Sequence, residues 1–340
     1  PGFTARLGIA PRTRTLAVAV AAMRSGAARR CALVARVAPW WRPAAAAGGV
    51  AAGVGAALAA TQAVELGKTW RTQLRGRARA CKGPTEGLEK KGPGGGSTML
   101  IFLGDSLVEG VGGQADDAPS PAVLPRSVAA HLAERLGGQV QWASVGITGA
   151  DVERLRAEGL PRLKEKIAGL PKAQNVVVVL VVGANDLRKL KVLGFRLALR
   201  RLVGELRGLG TRDGLDISAV VLPGLAIADA PMLQRYPLQC FLAPVCALWE
   251  REKKKAVRRF QGVQVLPFPA PPPDLDPELL FSADQIHPSI SGYEWWAQDL
   301  ARQIHVVLKE SHVPRQNRDS IGEAWLSLPM HGEYLAHCGA

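Results

Sequence analysis

From residue 98 to about residue 309, short apolar runs alternate with stretches of helical spacing. Residues 99–103 (Met-Leu-Ile-Phe-Leu) form an unbroken apolar run, as expected for a strand buried on both faces of a parallel sheet. Residues 139–145, 175–182, 217–222 and 263–267 read as four further strands, the valine-rich 175–182 being the clearest. Between them, residues 125–136, 150–155, 160–167, 195–206 and 289–307 carry helical periodicity; in the first, Val128, Leu132 and Leu136 share a stripe that ends at Gly137-Gly138. Strands alternating with helices predict an α/β fold: a three-layer α/β/α sandwich around a mostly parallel five-stranded sheet. Right-handed crossovers then bring the carboxyl ends of the strands to one edge.

Small polar residues follow several of these strands. Gly104-Asp105-Ser106 follows the first, Gly146 the second, and Gly183-Ala184-Asn185-Asp186 the third. Such positions lie where open α/β sheets hold their ligands. Ser106 is a candidate nucleophile, although Asp105 or Ser106 alone reads equally well as a helix cap. Ahead of the last helix, Asp284 and His287 stand three residues apart, close enough for the carboxylate to orient the imidazole and stabilise its protonated form. Gly110, Gly112 and Ala115 match Gly-x-Gly-x-x-Ala, but the turn comes late after its strand and Pro119 and Pro121 follow, so no dinucleotide site is expected.

Charge divides the chain. Residues 1–97 carry sixteen Lys and Arg against three Glu, a net +13 of the total +14. The remainder is close to neutral, which excludes a basic nucleic-acid footprint on residues 98–340. Up to Val64 every charge is Arg, the composition of an organelle transit peptide, plastid or mitochondrial. Residues 44–64 are uncharged and long enough to span a bilayer, with Trp40, Trp41 and Trp70 as flanking anchors, so a membrane attachment is the alternative to a loose Ala-rich helix. Residues 92–97 (Gly-Pro-Gly-Gly-Gly-Ser) read as a linker. The expected organisation is a leader over 1–97, a catalytic domain over 98–309 and an irregular tail over 310–340. Cys31, Cys81, Cys240, Cys246 and Cys338 have no framework or metal spacing, and neither metal nor cofactor is expected.

Taken together, Gly104-Asp105-Ser106-Leu107, Gly146 within Ser144-Val145-Gly146-Ile147-Thr148-Gly149, Gly183-Ala184-Asn185-Asp186 and Asp284-Gln285-Ile286-His287-Pro288 resemble the four signature blocks of the SGNH hydrolases, the GDSL esterase/lipase family. Trp142-Ala-Ser-Val-Gly and Ser291-Gly-Tyr-Glu-Trp-Trp-Ala297 are similar to its bacterial-type branch. No Gly-x-Ser-x-Gly elbow occurs. The resemblance implies a serine ester hydrolase with Ser106 as nucleophile, His287 as acid/base and Asp284 orienting it. It also implies an oxyanion hole from the backbone N–H groups of Ser106 and Gly146 and the Asn185 amide, with Asp186 a structural partner of the first loop. An acyltransferase or thioesterase on the same site, or a non-catalytic lipid- or carbohydrate-binding module, are the alternatives. The expected partner is a small-molecule or lipid ester. Residues 225–249 form an apolar stretch in which Met232, Leu233 and Phe241 line an acyl pocket or simply pack over the sheet.

Overall fold

A computed structural model describes residues 42–74, 76, 78–92, 97–113, 122–169, 175–212, 215–225, 227–271 and 276–311. Six strands form one mixed sheet: β1 (Glu86–Lys90), β2 (Thr98–Gly104), β3 (Gln139–Gly146), β4 (Asn175–Val181), β5 (Ile217–Pro223) and β6 (Val263–Leu266), in the spatial order β1-β3-β2-β4-β5-β6. Five of them are parallel and match the expected strands to within a residue or two. The sixth, β1, lies antiparallel against β3 at the sheet edge. Its sequence, Glu-Gly-Leu-Glu-Lys, is polar and solvent-exposed, as suits an edge strand. The expected five-stranded sheet is thereby corrected to six, and the sheet begins twelve residues before the expected boundary at residue 98.

The central strands alternate side chains between two cores. Met99, Ile101 and Leu103 of β2, with Val176, Val178 and Leu180 of β4, face one side. There they meet α4 (Val152–Arg154), α5 (Leu160–Ala168), α7 (Val192–Arg212) and α8 (Leu238–Val257). A single π-type turn, Leu155–Gly159, joins α4 to α5. Leu100, Phe102, Val177 and Val179 face the other side, against α3 (Val123–Leu136) and α9 (Ile290–Ser311). Two short helices, α2 (Ser106–Glu109) and α6 (Ala184–Leu187), start directly after β2 and β4. The result is the expected three layers.

The apolar stretch 225–249 is helical in its second half. It enters α8, which contains Pro244, and its Trp249 is buried in the core, stacked on Phe195 at 5.8 Å between ring centres. The proline masks the helical periodicity, because in a helix interior it costs a backbone hydrogen bond.

Ahead of the sheet lies α1 (Arg42–Thr69). Residues 52–312 form one compact unit. Within it the Gln62 side chain donates to the Tyr236 carbonyl and accepts from the Leu238 N–H, and Leu66 packs with Met232 and Leu238. The expected span 44–64 falls within α1. Among the described residues no helix is long and apolar enough to cross a membrane, the helix being built largely from Ala and Gly. Residues 93–96 of the expected linker, the leader before residue 42 and the tail after residue 311 lie outside the described residues, as do Ala115, Pro119 and Pro121.

Candidate active site

The register sets the site. Gly104 at the end of β2 pairs with Gly146 of β3 on one side and Val181 of β4 on the other, so the three expected loops leave the sheet side by side. Immediately after Gly104, the Asp105 side chain accepts from the Leu107 N–H and caps α2. Ser106 is the first residue of that helix, and its backbone carbonyl accepts from Val111. Of the Asp-Ser pair, Asp105 is thus the cap, and Ser106 is the first residue of the helix. Gly110 ends the four-residue helix in the left-handed region (φ 79°), the conformation in which glycine is least strained.

Ser106 Oγ lies 2.9 Å from His287 Nε2, and His287 Nδ1 lies 2.5 Å from Asp284 Oδ2. Three residues separated by up to 181 positions thus form one chain of hydrogen bonds. The turn that brings Asp284 back to His287 needs a reversal, and Gln285 takes a positive φ of 60° there. Asp284 is fully buried, and its other oxygen accepts from Ser282 Oγ and the backbone N–H groups of Ile286 and His287. Burial pushes its carboxyl up, but the bonds from His287 and the backbone outweigh it and hold the group below the usual carboxylate range. Asp284 is therefore ionised at neutral pH, as a group stabilising an imidazolium must be. Ser106 and His287 are 8 % and 9 % exposed, enough to keep bulk water off while leaving the rim reachable.

The loop after β3 is clamped to α2, the helix that carries Ser106. A Cβ on Gly146 would stand 2.4 Å from the backbone nitrogen of Glu109, so only glycine lets the strand end meet α2. The Glu109 carboxylate accepts from both the N–H and the Oγ1 of Thr148. Asn185 sits in α6, and its side-chain Nδ2 donates to Asp105 Oδ2 at 3.0 Å. That uses one of the two amide hydrogens and fixes the plane of the group. Asp105, buried with Asn185 and Leu107 as donors, is pushed up to about 6 by burial.

Asp186 departs from the expectation. It does not bind the first loop; its carboxylate accepts from the Val152 N–H at the start of α4. Burial and the neighbouring Asp151 raise it to about 6. Beneath the Asn185 loop lies Lys253 of α8, fully buried, donating to the Pro223 carbonyl at 2.8 Å and paired with Glu250 at 2.9 Å. Glu250 in turn accepts from the Leu225 N–H, so this pair ties the end of β5 to α8. Burial lowers Lys253, opposed chiefly by Glu250. Glu109, Lys253 and Glu250 carry no local motif, and apart from the Lys253–Glu250 pair itself their partners are distant in sequence.

The expected substrate residues separate. Met232 is buried, donates its N–H to the Gln285 carbonyl and packs with Leu66 and Leu238. Leu233 packs on the same cluster, as does Ile286, the residue before His287. Phe241 lies over Gly55 of α1 instead. An apolar pocket that the sequence did not reveal is walled by Phe268, Leu280, Phe281, Pro288, Trp295 and Trp296, Pro288 being the residue after His287. Among the described residues no cluster of His, Cys, Asp or Glu has the makings of a metal site.

The model of the GDSL-like Lipase/Acylhydrolase family matches residues 102–295. The GDSL-like esterase Rv1075c of Mycobacterium tuberculosis is 30% identical over 223 residues, which make up 62% of this chain and 63% of that protein. The chain thus spans less than two thirds of this relative's length. Among solved structures, the lipase Lip_vut3 from a goat rumen metagenome is 18% identical with a TM-score of 0.45, covering 64% of this chain and 98% of that one. A family 3 carbohydrate esterase of Clostridium thermocellum is 16% identical with a TM-score of 0.44, covering 63% and 99%.

Proposed function

The chain belongs to the GDSL-like Lipase/Acylhydrolase family, and from that premise we propose that it hydrolyses carboxylic esters through an acyl-enzyme on Ser106. The observation that carries the reading is the hydrogen-bonded chain from Ser106 Oγ through His287 to Asp284. A serine hydroxyl is a weak nucleophile unless an adjacent base takes its proton as it attacks, and a base with a fixed tautomer does this best. His287 Nε2 takes the Ser106 proton while Oγ bonds to the carbonyl carbon. The charge on the new tetrahedral oxygen meets the backbone N–H groups of Ser106 and Gly146 and the second amide hydrogen of Asn185. His287 then gives the proton to the leaving alcohol, and the C–O bond breaks. Water repeats the sequence on the acyl-enzyme, releasing the acid and restoring Ser106.

The test is the hydrolysis of a series of soluble p-nitrophenyl esters. Ser106→Ala and His287→Ala are expected to lower kcat by at least about 10³-fold, because the members of such a unit act together. A folded Ser106→Ala protein with parental turnover would overturn the reading.

A further inference from the structure

Helix α7 is apolar on two opposite faces. Phe195, Leu199, Leu202 and Leu206 turn into the core. On the outward side Leu193 and Leu197 stand one turn apart, and Leu190 just ahead of the helix continues the row. They are 62%, 52% and 68% exposed, three of the largest exposed apolar side chains within eight residues of chain. A helix covering a sheet needs one apolar stripe, so the outer row does nothing for the fold.

The same segment is strongly basic. Arg188, Lys189, Lys191, Arg196, Arg200 and Arg201 occur with no Asp or Glu before Glu205. Lys189 is held by Asp151 and Arg196 by Glu252. Arg188, Lys191, Arg200 and Arg201 are exposed and make no ion pair among the described residues. Acidic groups on this helix and on its neighbours are already engaged: Glu205 of α7 and Glu153 with Arg156, and Glu158 with Arg154.

We propose that this face docks the protein on an anionic lipid surface, Leu190, Leu193 and Leu197 entering the headgroup boundary and the surrounding cations meeting the lipid charges. The chemistry favours lipid over a protein partner. The row is purely aliphatic, whereas protein hot spots are enriched in Trp and Tyr, and leucine is under-represented there. An aliphatic stripe rimmed by Lys and Arg is the pattern of an interfacial helix. Position adds to this. Leu190 follows Asn185 by five residues, so the stripe starts at the sheet edge where Ser106 and His287 meet. The inference does not rest on the chemistry at Ser106, since vesicle binding is measured without turnover.

The experiment is co-sedimentation of the full chain with vesicles of phosphatidylcholine, alone or mixed with phosphatidylglycerol, beside a Leu190→Ser/Leu193→Ser/Leu197→Ser variant and an Arg200→Gln/Arg201→Gln variant. The parent is expected to bind the mixed vesicles at least about tenfold more tightly than the neutral ones, with salt weakening the binding. The triple-serine variant is expected to lose at least about tenfold while melting at the parental temperature, and the double-glutamine variant to lose most of the preference for anionic vesicles. Equal binding by parent and triple-serine variant would overturn the proposal and assign any attachment to other residues. So would a dimer that the serine substitutions abolish in a chain that binds no vesicles.

Discussion

Ser106 owes its place to its neighbour. Asp105 turns the chain into α2 with one carboxylate oxygen and holds the Asn185 amide with the other. Asn185→Ala is expected to lower kcat about 10²–10³-fold with little change in KM, because the lost donor acts on charge that exists only in the transition state. Steady-state kinetics on a soluble ester check this, and an effect confined to KM would remove Asn185 from the oxyanion hole. Asp186 makes a different prediction. Its folded pKa of about 6 lies above the ordinary 3.8 of an aspartate, so the folded state binds its proton more tightly and is penalised only when the group is ionised. Asp186→Asn keeps an acceptor for the Val152 N–H and removes the charge. It is expected to raise stability by on the order of 2 kcal/mol above about pH 6, a gain that fades below about pH 4, where both states are protonated. Thermal melts at pH 4 and pH 8 read the difference. At this scale the sequence showed Ser106, Asp284 and His287 because each sits in a short local string. It did not show Glu109 or Lys253, whose partners lie 39 and 30 residues away, and it placed Asp186 on the wrong loop.

Among the elements, the loop after β3 and helix α2 move as one piece because Glu109 grips Thr148. Both bonds end on the same carboxylate oxygen, Oε2, so Glu109→Ala removes the shared acceptor and lets Gly146 drift from Ser106. It is expected to cost roughly tenfold in kcat/KM, since small misplacements of a catalytic group are expensive. A Thr148→Ala chain should share most of that loss, and the double variant should add little, which a double-mutant cycle measures. The parallel strands were legible because a strand buried on both faces must be a continuous apolar run, and 99–103 and 175–182 are such runs. Strand β1 was not, because an edge strand exposed to water can be polar, and α8 was hidden by Pro244.

Over the whole molecule, charge and fold do not divide at the same residue. The basic excess ends near residue 97, yet β1 and the second half of α1 belong to the same unit as the site. Truncation to residues 98–340 removes β1 and uncovers the β3 edge. Such a chain is expected to melt lower and to aggregate more readily than one beginning at residue 52, as differential scanning fluorimetry and light scattering would show. The expected leader, read from arginines without acids, overlapped this folded part because composition does not reveal which residues pair.

Activation of Ser106 by His287 is read out by mass spectrometry after reaction with a fluorophosphonate. One phosphonyl adduct is expected on the full chain, mapped to Ser106, and none in folded His287→Ala. An adduct on another serine, or a folded parent chain that takes up no label, would contradict it.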